Sequence, residues 1–113
     1  MPERRRNRRW PRQLEVRFWK QGEEGQGSRA ISTNISRTGV FVRSKTPLAI
    51  GTKVNLRFTV IMDDIETIEG VGEVVRVHDD PAGMGVVFTE LSGYSKSLIE
   101  KLLTNQARNL TGG

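Results

Sequence analysis

Arginines dominate the first twelve residues of this 113-residue chain. Six arginines stand there against one acidic residue, whereas the rest of the chain balances twelve basic with twelve acidic side chains. Arg8 and Arg12 form an Arg-x-x-x-Arg unit with Arg9 between them, and the same spacing relates Arg5 to Arg9 and Arg4 to Arg8. A guanidinium group binds anions through two parallel hydrogen bonds and stacks on planar rings, which an ammonium group does not. The segment therefore predicts an anion-binding arm on an otherwise neutral domain.

A second polar motif, Asn34-Ile35-Ser36-Arg37-Thr38-Gly39, follows an apolar stretch and precedes another. Asn34 offers an amide oxygen and Ser36 a hydroxyl group as hydrogen-bonding partners for a ligand. Glycine adopts positive φ at little cost, so the chain is expected to turn at Gly39. A simpler interpretation is a turn capped by its own side chains, with no ligand role.

No residue set typical of catalysis stands out. The chain has no cysteine and a single histidine, His78, and the Asp79-Asp80-Pro81 that follows it is more typical of a solvated turn than of an acid/base pair. Without a Ser-His-Asp set or a phosphate-binding loop, we expect neither an enzyme nor a metal or cofactor site. No apolar stretch is long enough to span a membrane and the start lacks an apolar leader, so a cytoplasmic protein is expected.

Alternating apolar and polar residues predict the strands that position these motifs. Predicted strands lie at 13–19, 29–35, 40–42, 54–60, 65–77 and 84–88. Gly70 and Gly72 indicate that the long fifth strand bends. Ser92 is expected to cap a helix that extends to about Gln106. The fold class is therefore predicted as all-β, a small antiparallel barrel of six or seven strands with a C-terminal helix.

The predicted domain organisation has three parts. Residues 1–12 form a flexible basic arm, residues 13–106 the barrel with its helix, and residues 107–113 a flexible tail. The first two strands are expected to pair as a hairpin, which would bring the arm and the Asn34–Gly39 motif to the same end of the sheet.

Taken together, these features resemble the PilZ domain family, whose pattern is Arg-x-x-x-Arg followed by Asp-or-Asn-x-Ser-x-x-Gly. Both elements are present in that order, and the likeness continues through Pro47-Leu48, Gly51 and the closing run from Gly83 to Phe88. It extends from about Arg8 to Leu103, nearly the whole chain. The resemblance implies a PilZ-type barrel that binds the bacterial second messenger cyclic di-GMP. The ligand-binding residues that it implies are Arg8, Arg9, Arg12, Asn34, Ser36 and Gly39.

The implied roles follow the chemistry of the ligand, which carries two phosphodiesters and two guanines. Arg8 and Arg12 would contact guanine and phosphate, while Asn34 and Ser36 would meet the edge of the other guanine. Two departures bear on affinity and stoichiometry. Asn7 stands where many members have a further arginine, which favours one bound nucleotide over a stacked pair. Asn34 stands where aspartate is common, and an amide accepts a weaker hydrogen bond than a carboxylate.

The function implied is a receptor whose arm orders on the ligand and signals to a downstream protein partner. Two alternatives remain open. The first is a protein-interaction module that keeps the fold without the ligand, and the second, less favoured, is a nucleic-acid binder with a basic arm.

Overall fold

The computed structural model describes residues 13–23, 27–61 and 64–112, with the side chains described up to residue 104. The chain forms six strands followed by one helix in this part. The elements are β1 (Leu14–Lys20), β2 (Ser28–Thr33), β3 (Gly39–Arg43), β4 (Lys53–Ile61), β5 (Ile65–Asp79), β6 (Ala82–Leu91) and α1 (Gly93–Gly112). The predicted ligand-binding residues Arg8, Arg9 and Arg12 lie outside the described residues.

The strands close into an antiparallel barrel in the order β1-β2-β3-β6-β5-β4. This confirms the predicted fold class, with six strands. The alternation that predicted β4 is the alternation that fills the barrel, since Val54, Leu56, Phe58 and Val60 are all buried while their neighbours face outward. The interior is lined by apolar side chains from all six strands.

The two longest strands, β5 and β6, carry the irregularities of the sheet. Their register shifts between Val71 and Gly72 and again between Val74 and Arg76. The first shift lies at the glycines from which a bend was predicted. The second leaves Val75 without a direct partner, so that Arg76 pairs with Gly85.

Helix α1 packs against β5 and β6 through Leu98, Ile99 and Leu102, which are all buried. The Oγ of Ser92 accepts a hydrogen bond from the backbone N of Ser95 at 3.0 Å, which confirms Ser92 as the N-cap. The helix continues to Gly112, beyond the end expected near Gln106. In the part of the chain that the structure describes, no helix combines the length and the apolarity needed to cross a bilayer.

Candidate functional site

The turn formed by residues 34–39, here called the motif turn, is held by hydrogen bonds that converge on Ser36. The Ser36 Oγ accepts from the backbone N of Thr38 at 3.2 Å and from the backbone N of Gly39 at 3.3 Å. The Ser36 backbone N donates to the Gly39 carbonyl at 2.9 Å. The Ser36 Oγ also lies 3.3 Å from the Gly39 carbonyl oxygen and 3.3 Å from the Thr38 Oγ1, and its hydroxyl group can donate to either. Ser36 therefore shapes the turn, as the side-chain-capped interpretation requires.

The left-handed residue of this motif is Asn34 rather than Gly39. Asn34 has φ of 56° and an exposed side chain, and asparagine tolerates this conformation better than most residues. Gly39 lies at the start of β3 without a positive φ, which corrects the expectation that it turns the chain. Glycine is required there for another reason, because a Cβ atom at position 39 would lie 2.4 Å from the Val86 carbonyl oxygen of β6.

The motif turn borders a groove of about 590 Å³ on the outer surface of the barrel. The groove, as the term is used here, is bounded by this turn and by the outward faces of β3, β5 and β6. Side chains that matter for its chemistry are Asn34, Phe41, Arg43, Arg76 and His78.

Two glycines of β6, Gly83 and Gly85, leave room for side chains of the neighbouring strands, and Gly85 lines the groove. The Phe41 ring lies over Gly83, where a Cβ atom would come within 2.5 Å of the ring. The Arg76 guanidinium lies over Gly85, with Nε and Nη2 both 3.4 Å from the position of a Cβ atom. His78 meets Phe41 edge to face, with ring centroids 5.5 Å apart. The groove is thus lined by an aromatic ring, Phe41, and a guanidinium group, Arg76.

The groove carries positive charge that no carboxylate among the described side chains pairs with. Arg43 and Arg76 form no ion pair with any of the described residues, whereas four other cations of the barrel and the motif turn pair with glutamates. Unpaired guanidinium groups beside an aromatic surface favour an anion that also carries a planar ring. A nucleotide has both features, the anion in its phosphate group and the planar ring in its base.

The Arg37 side chain leaves the motif turn in the direction of helix α1. Its Nε and Nη2 donate to the two carboxylate oxygens of Glu100, the second at 3.0 Å. This hydrogen-bonded ion pair raises the pKa of Arg37 and lowers the pKa of Glu100, through the hydrogen bond first and the opposite charge as well.

The structure brings Asn34, Ser36 and Gly39 together at one border of the groove. Leu14 pairs with Ser32, so β1 begins next to the end of β2 and close to the motif turn, as the hairpin interpretation required. Sequence reasoning did not identify Arg43 and Arg76. The only signal for them was the Gly83-x-Gly85 pattern, which allows large side chains of neighbouring strands to lie flat on β6.

The interpretation of His78 as part of a solvated turn needs correction, because β5 continues to Asp79 and places this ring on the groove. Within residues 13–23, 27–61 and 64–104, no cluster of histidine or carboxylate side chains has the arrangement of a metal site. The contribution of Arg8, Arg9 and Arg12 stays a prediction.

Comparison with known proteins identifies the family and the fold of the chain. No curated protein sequence matches the chain. A solved structure, the Bacillus subtilis inhibitor of motility (MotI/DgrA), superposes with a TM-score of 0.73 at 18% identity, which shows a shared fold. The match covers 91% of this chain and 51% of that one, so the chain spans about half the length of that protein. The family model described as "PilZ domain" matches residues 3–105. The chain therefore belongs to the PilZ domain family.

Proposed function

We propose that the groove binds cyclic di-GMP and that the protein is a receptor for this messenger in the cytoplasm. The observation that carries the proposal is a pair of arginines, Arg43 and Arg76, that line the groove beside the motif turn and form no ion pair within the described part of the chain. Membership of the PilZ family supports the same ligand. No catalytic step is proposed, since a receptor needs only to bind and release its ligand.

Each side chain has a role that suits its chemistry. The Asn34 amide oxygen accepts hydrogen bonds from the guanine N1 and N2 hydrogens. Arg76 stacks on a guanine ring or donates to its O6 and N7, a pairing worth about 1–3 kcal/mol of discrimination against other bases. Arg43 is placed for a phosphodiester. Ser36 and Gly39 act by fixing the shape of the motif turn.

The arginine arm completes the site in this proposal. Arg8, Arg9 and Arg12 close over the ligand from the start of β1 and supply the remaining contacts to phosphate and guanine. Neutralising their charge orders the arm on the bound ligand, and the changed surface is what a downstream partner protein recognises.

One observation favours a second candidate, a protein-interaction module that binds no nucleotide. Because the Ser36 hydroxyl is already engaged by Thr38 and Gly39, the motif has a structural use without any ligand. A nucleic-acid binder is distinguished from both by a steep dependence of affinity on salt and by little preference for guanine.

Isothermal titration with cyclic di-GMP tests the proposal. We expect the parent protein to bind, and Arg76→Ala or Arg12→Ala to lower affinity at least about tenfold, or roughly 1.4 kcal/mol. Arg29→Ala is the control, because Arg29 is an exposed arginine paired with Glu15 outside the groove. A parent protein that gives no heat with cyclic di-GMP would leave the interaction module as the better explanation. Equal affinity of Arg76→Ala and Arg29→Ala would refute the assignment of the groove.

A further inference from the structure

The ion pair between Arg37 and Glu100, here called the turn–helix pair, joins a turn to the helix, unlike the other ion pairs among the described residues. Arg37 belongs to the motif turn and Glu100 to helix α1, 63 positions apart in the sequence. The remaining pairs, Arg29–Glu15, Lys53–Glu73 and Arg57–Glu69, join strands that are already neighbours in the barrel.

The Arg37 side chain does not line the groove. It borders a separate cleft of about 180 Å³ together with Leu91, Lys96, Ile99 and Glu100. The motif turn therefore has two flanks, one on the groove through Asn34 and one on the helix through Arg37. Arg37 lies outside the groove, and it also borders a larger cavity of about 910 Å³ beside Trp19 and Arg57. In the proposal below it positions the turn and makes no contact with a ligand in the groove.

The backbone between these two flanks is constrained. The Thr38 carbonyl accepts from the Phe88 backbone N of β6 at 2.9 Å, and the Thr38 N donates to the Ser36 Oγ. Hydrogen bonds thus connect the backbone next to Arg37 to Ser36 and to β6. On the other side, Glu100 follows the buried residue Ile99 directly, so its position depends on how α1 packs on the barrel.

We propose that the turn–helix pair couples the motif turn to the docking of helix α1, with Arg37 as a positioning residue for the ligand. The half of this inference that concerns the ligand rests on the proposed function. If the pair holds the turn in its binding geometry, its loss weakens binding, and by thermodynamic reciprocity bound ligand tightens the packing of α1. The helix is then the element through which occupancy of the groove is sensed.

The decisive variant is Glu100→Gln, and the chain offers a closely matched control in Glu15→Gln. Arg37 and Glu100 are 64% and 50% exposed, and Arg29 and Glu15 are 66% and 51% exposed, so solvent screens the two pairs alike. Since exposed pairs contribute little, we expect Glu100→Gln to weaken cyclic di-GMP binding about two- to fivefold and Glu15→Gln to leave it unchanged. The exchanged pair Arg37→Glu with Glu100→Arg should recover most of the affinity, which a direct contact of Arg37 with ligand would not permit.

Amide hydrogen exchange provides the readout that does not depend on the ligand. In the free protein, the Thr38 and Gly39 amides should exchange faster in Glu100→Gln than in Glu15→Gln. With ligand, the amides of Ile99 and Leu102 should slow in the parent and in Glu15→Gln, and respond less in Glu100→Gln.

The outcomes separate the two proposals. If the parent binds no cyclic di-GMP, the proposed function fails, while faster exchange at Thr38 and Gly39 in Glu100→Gln still supports the coupling. If both variants match the parent in turn exchange, the coupling is wrong, whatever the affinity for the ligand. A Glu100→Gln protein that binds as tightly as Glu15→Gln overturns Arg37 as a positioning residue.

Discussion

Some residues of the motif turn fix its shape, while Asn34 presents an exposed side chain that could contact a ligand. Ser36 and Gly39 serve the turn itself, the first through its hydrogen bonds and the second through its lack of a side chain against Val86. Asn34 keeps its side chain exposed because the backbone there is left-handed and turns it away from the core. A nucleotide bound in the groove would therefore meet Asn34 on a support that is built before the ligand arrives.

Substitution of Gly39 by alanine tests this division. The added methyl group would overlap the Val86 carbonyl oxygen, a backbone atom fixed within the sheet, so we expect a loss of about 1–3 kcal/mol in the free energy of unfolding. Gly93→Ala is the control, because nothing lies within 4 Å of a Cβ atom at that position. Urea unfolding of both variants measures the difference. Equal midpoints for the two would contradict the close approach of β3 and β6.

Tyr94 provides a prediction about pH, since it is the single tyrosine of the chain. Its hydroxyl group donates to Glu66, and this hydrogen bond, with the nearby negative charge of Glu66 and Asp64, raises the pKa of Tyr94 above its ordinary value of 10.0. A raised pKa in the folded state contributes stability that is present below pH 10 and is lost as the pH rises through the raised value. Titration by tyrosinate absorbance should show a midpoint above 10 in the parent and a lower midpoint in Glu66→Gln. An unchanged midpoint in that variant would speak against the bond.

At the scale of elements, a buried hydroxyl group of helix α1 adds a hydrogen bond to β5 beside the apolar packing of the helix. The Oγ of Ser95, which is 2% exposed, accepts a hydrogen bond from the Glu69 backbone N at 3.0 Å. Glu69 lies just before Gly70, where the pairing of β5 with β6 begins, so β6 does not satisfy this N–H group. The start of the helix thus completes the hydrogen bonding of the longest strand.

Ser95→Ala should therefore destabilise the fold. The Glu69 N–H group would lose its acceptor while staying partly buried, at a cost of about 1–3 kcal/mol. Ser97→Ala, an exposed position in the same helix, should change stability little. Chemical denaturation of the pair is the measurement, and similar stability of the two variants would show that Ser95 does not fasten the helix.

The strands were predictable because one face of each is buried, and burial every second residue is visible in the sequence. The β4 alternation and the Ser92 cap are local patterns of this kind. The extents of β5 and β6 were underestimated, since pairing extends to Asp79 with Ala82 across their short connection and depends on the partner strand. Arg43 and Arg76 share a groove only because β3 and β5 flank β6 and because of the shift in register at Val75. Unlike the bend at Gly70 and Gly72, neither the strand order nor the register shift at Val75 can be predicted from a local pattern.

At the scale of the whole molecule, the excess positive charge and the described hydrophobic core lie in different parts of the sequence. The described core runs from Leu14 to Leu102, while the excess positive charge of the sequence lies in residues 1–12. Binding strength and folding stability should therefore respond to different parts of the chain.

Deletion of residues 1–12 tests that separation. A protein starting at Gln13 should still unfold cooperatively, because it retains every core side chain of the described residues. Its affinity for cyclic di-GMP should fall at least about tenfold with the loss of the arginine arm, and the residual binding should depend on Arg76. Circular dichroism with titration calorimetry measures both properties. If the shortened protein bound cyclic di-GMP with full affinity, the groove would be sufficient for binding and the arginine arm would contribute nothing to it.

The alternate glycines of β6 have a consequence for anyone who would redesign this protein for another ligand. A side chain at position 83 would collide with the Phe41 ring and the Val42 carbonyl oxygen, so a substitution of Gly83 is poorly tolerated. Positions 43, 76 and 78 on the adjoining strands are exposed and line the groove in which the ligand is proposed to bind. A library intended to change ligand preference should therefore randomise these three positions and leave the glycines as they are.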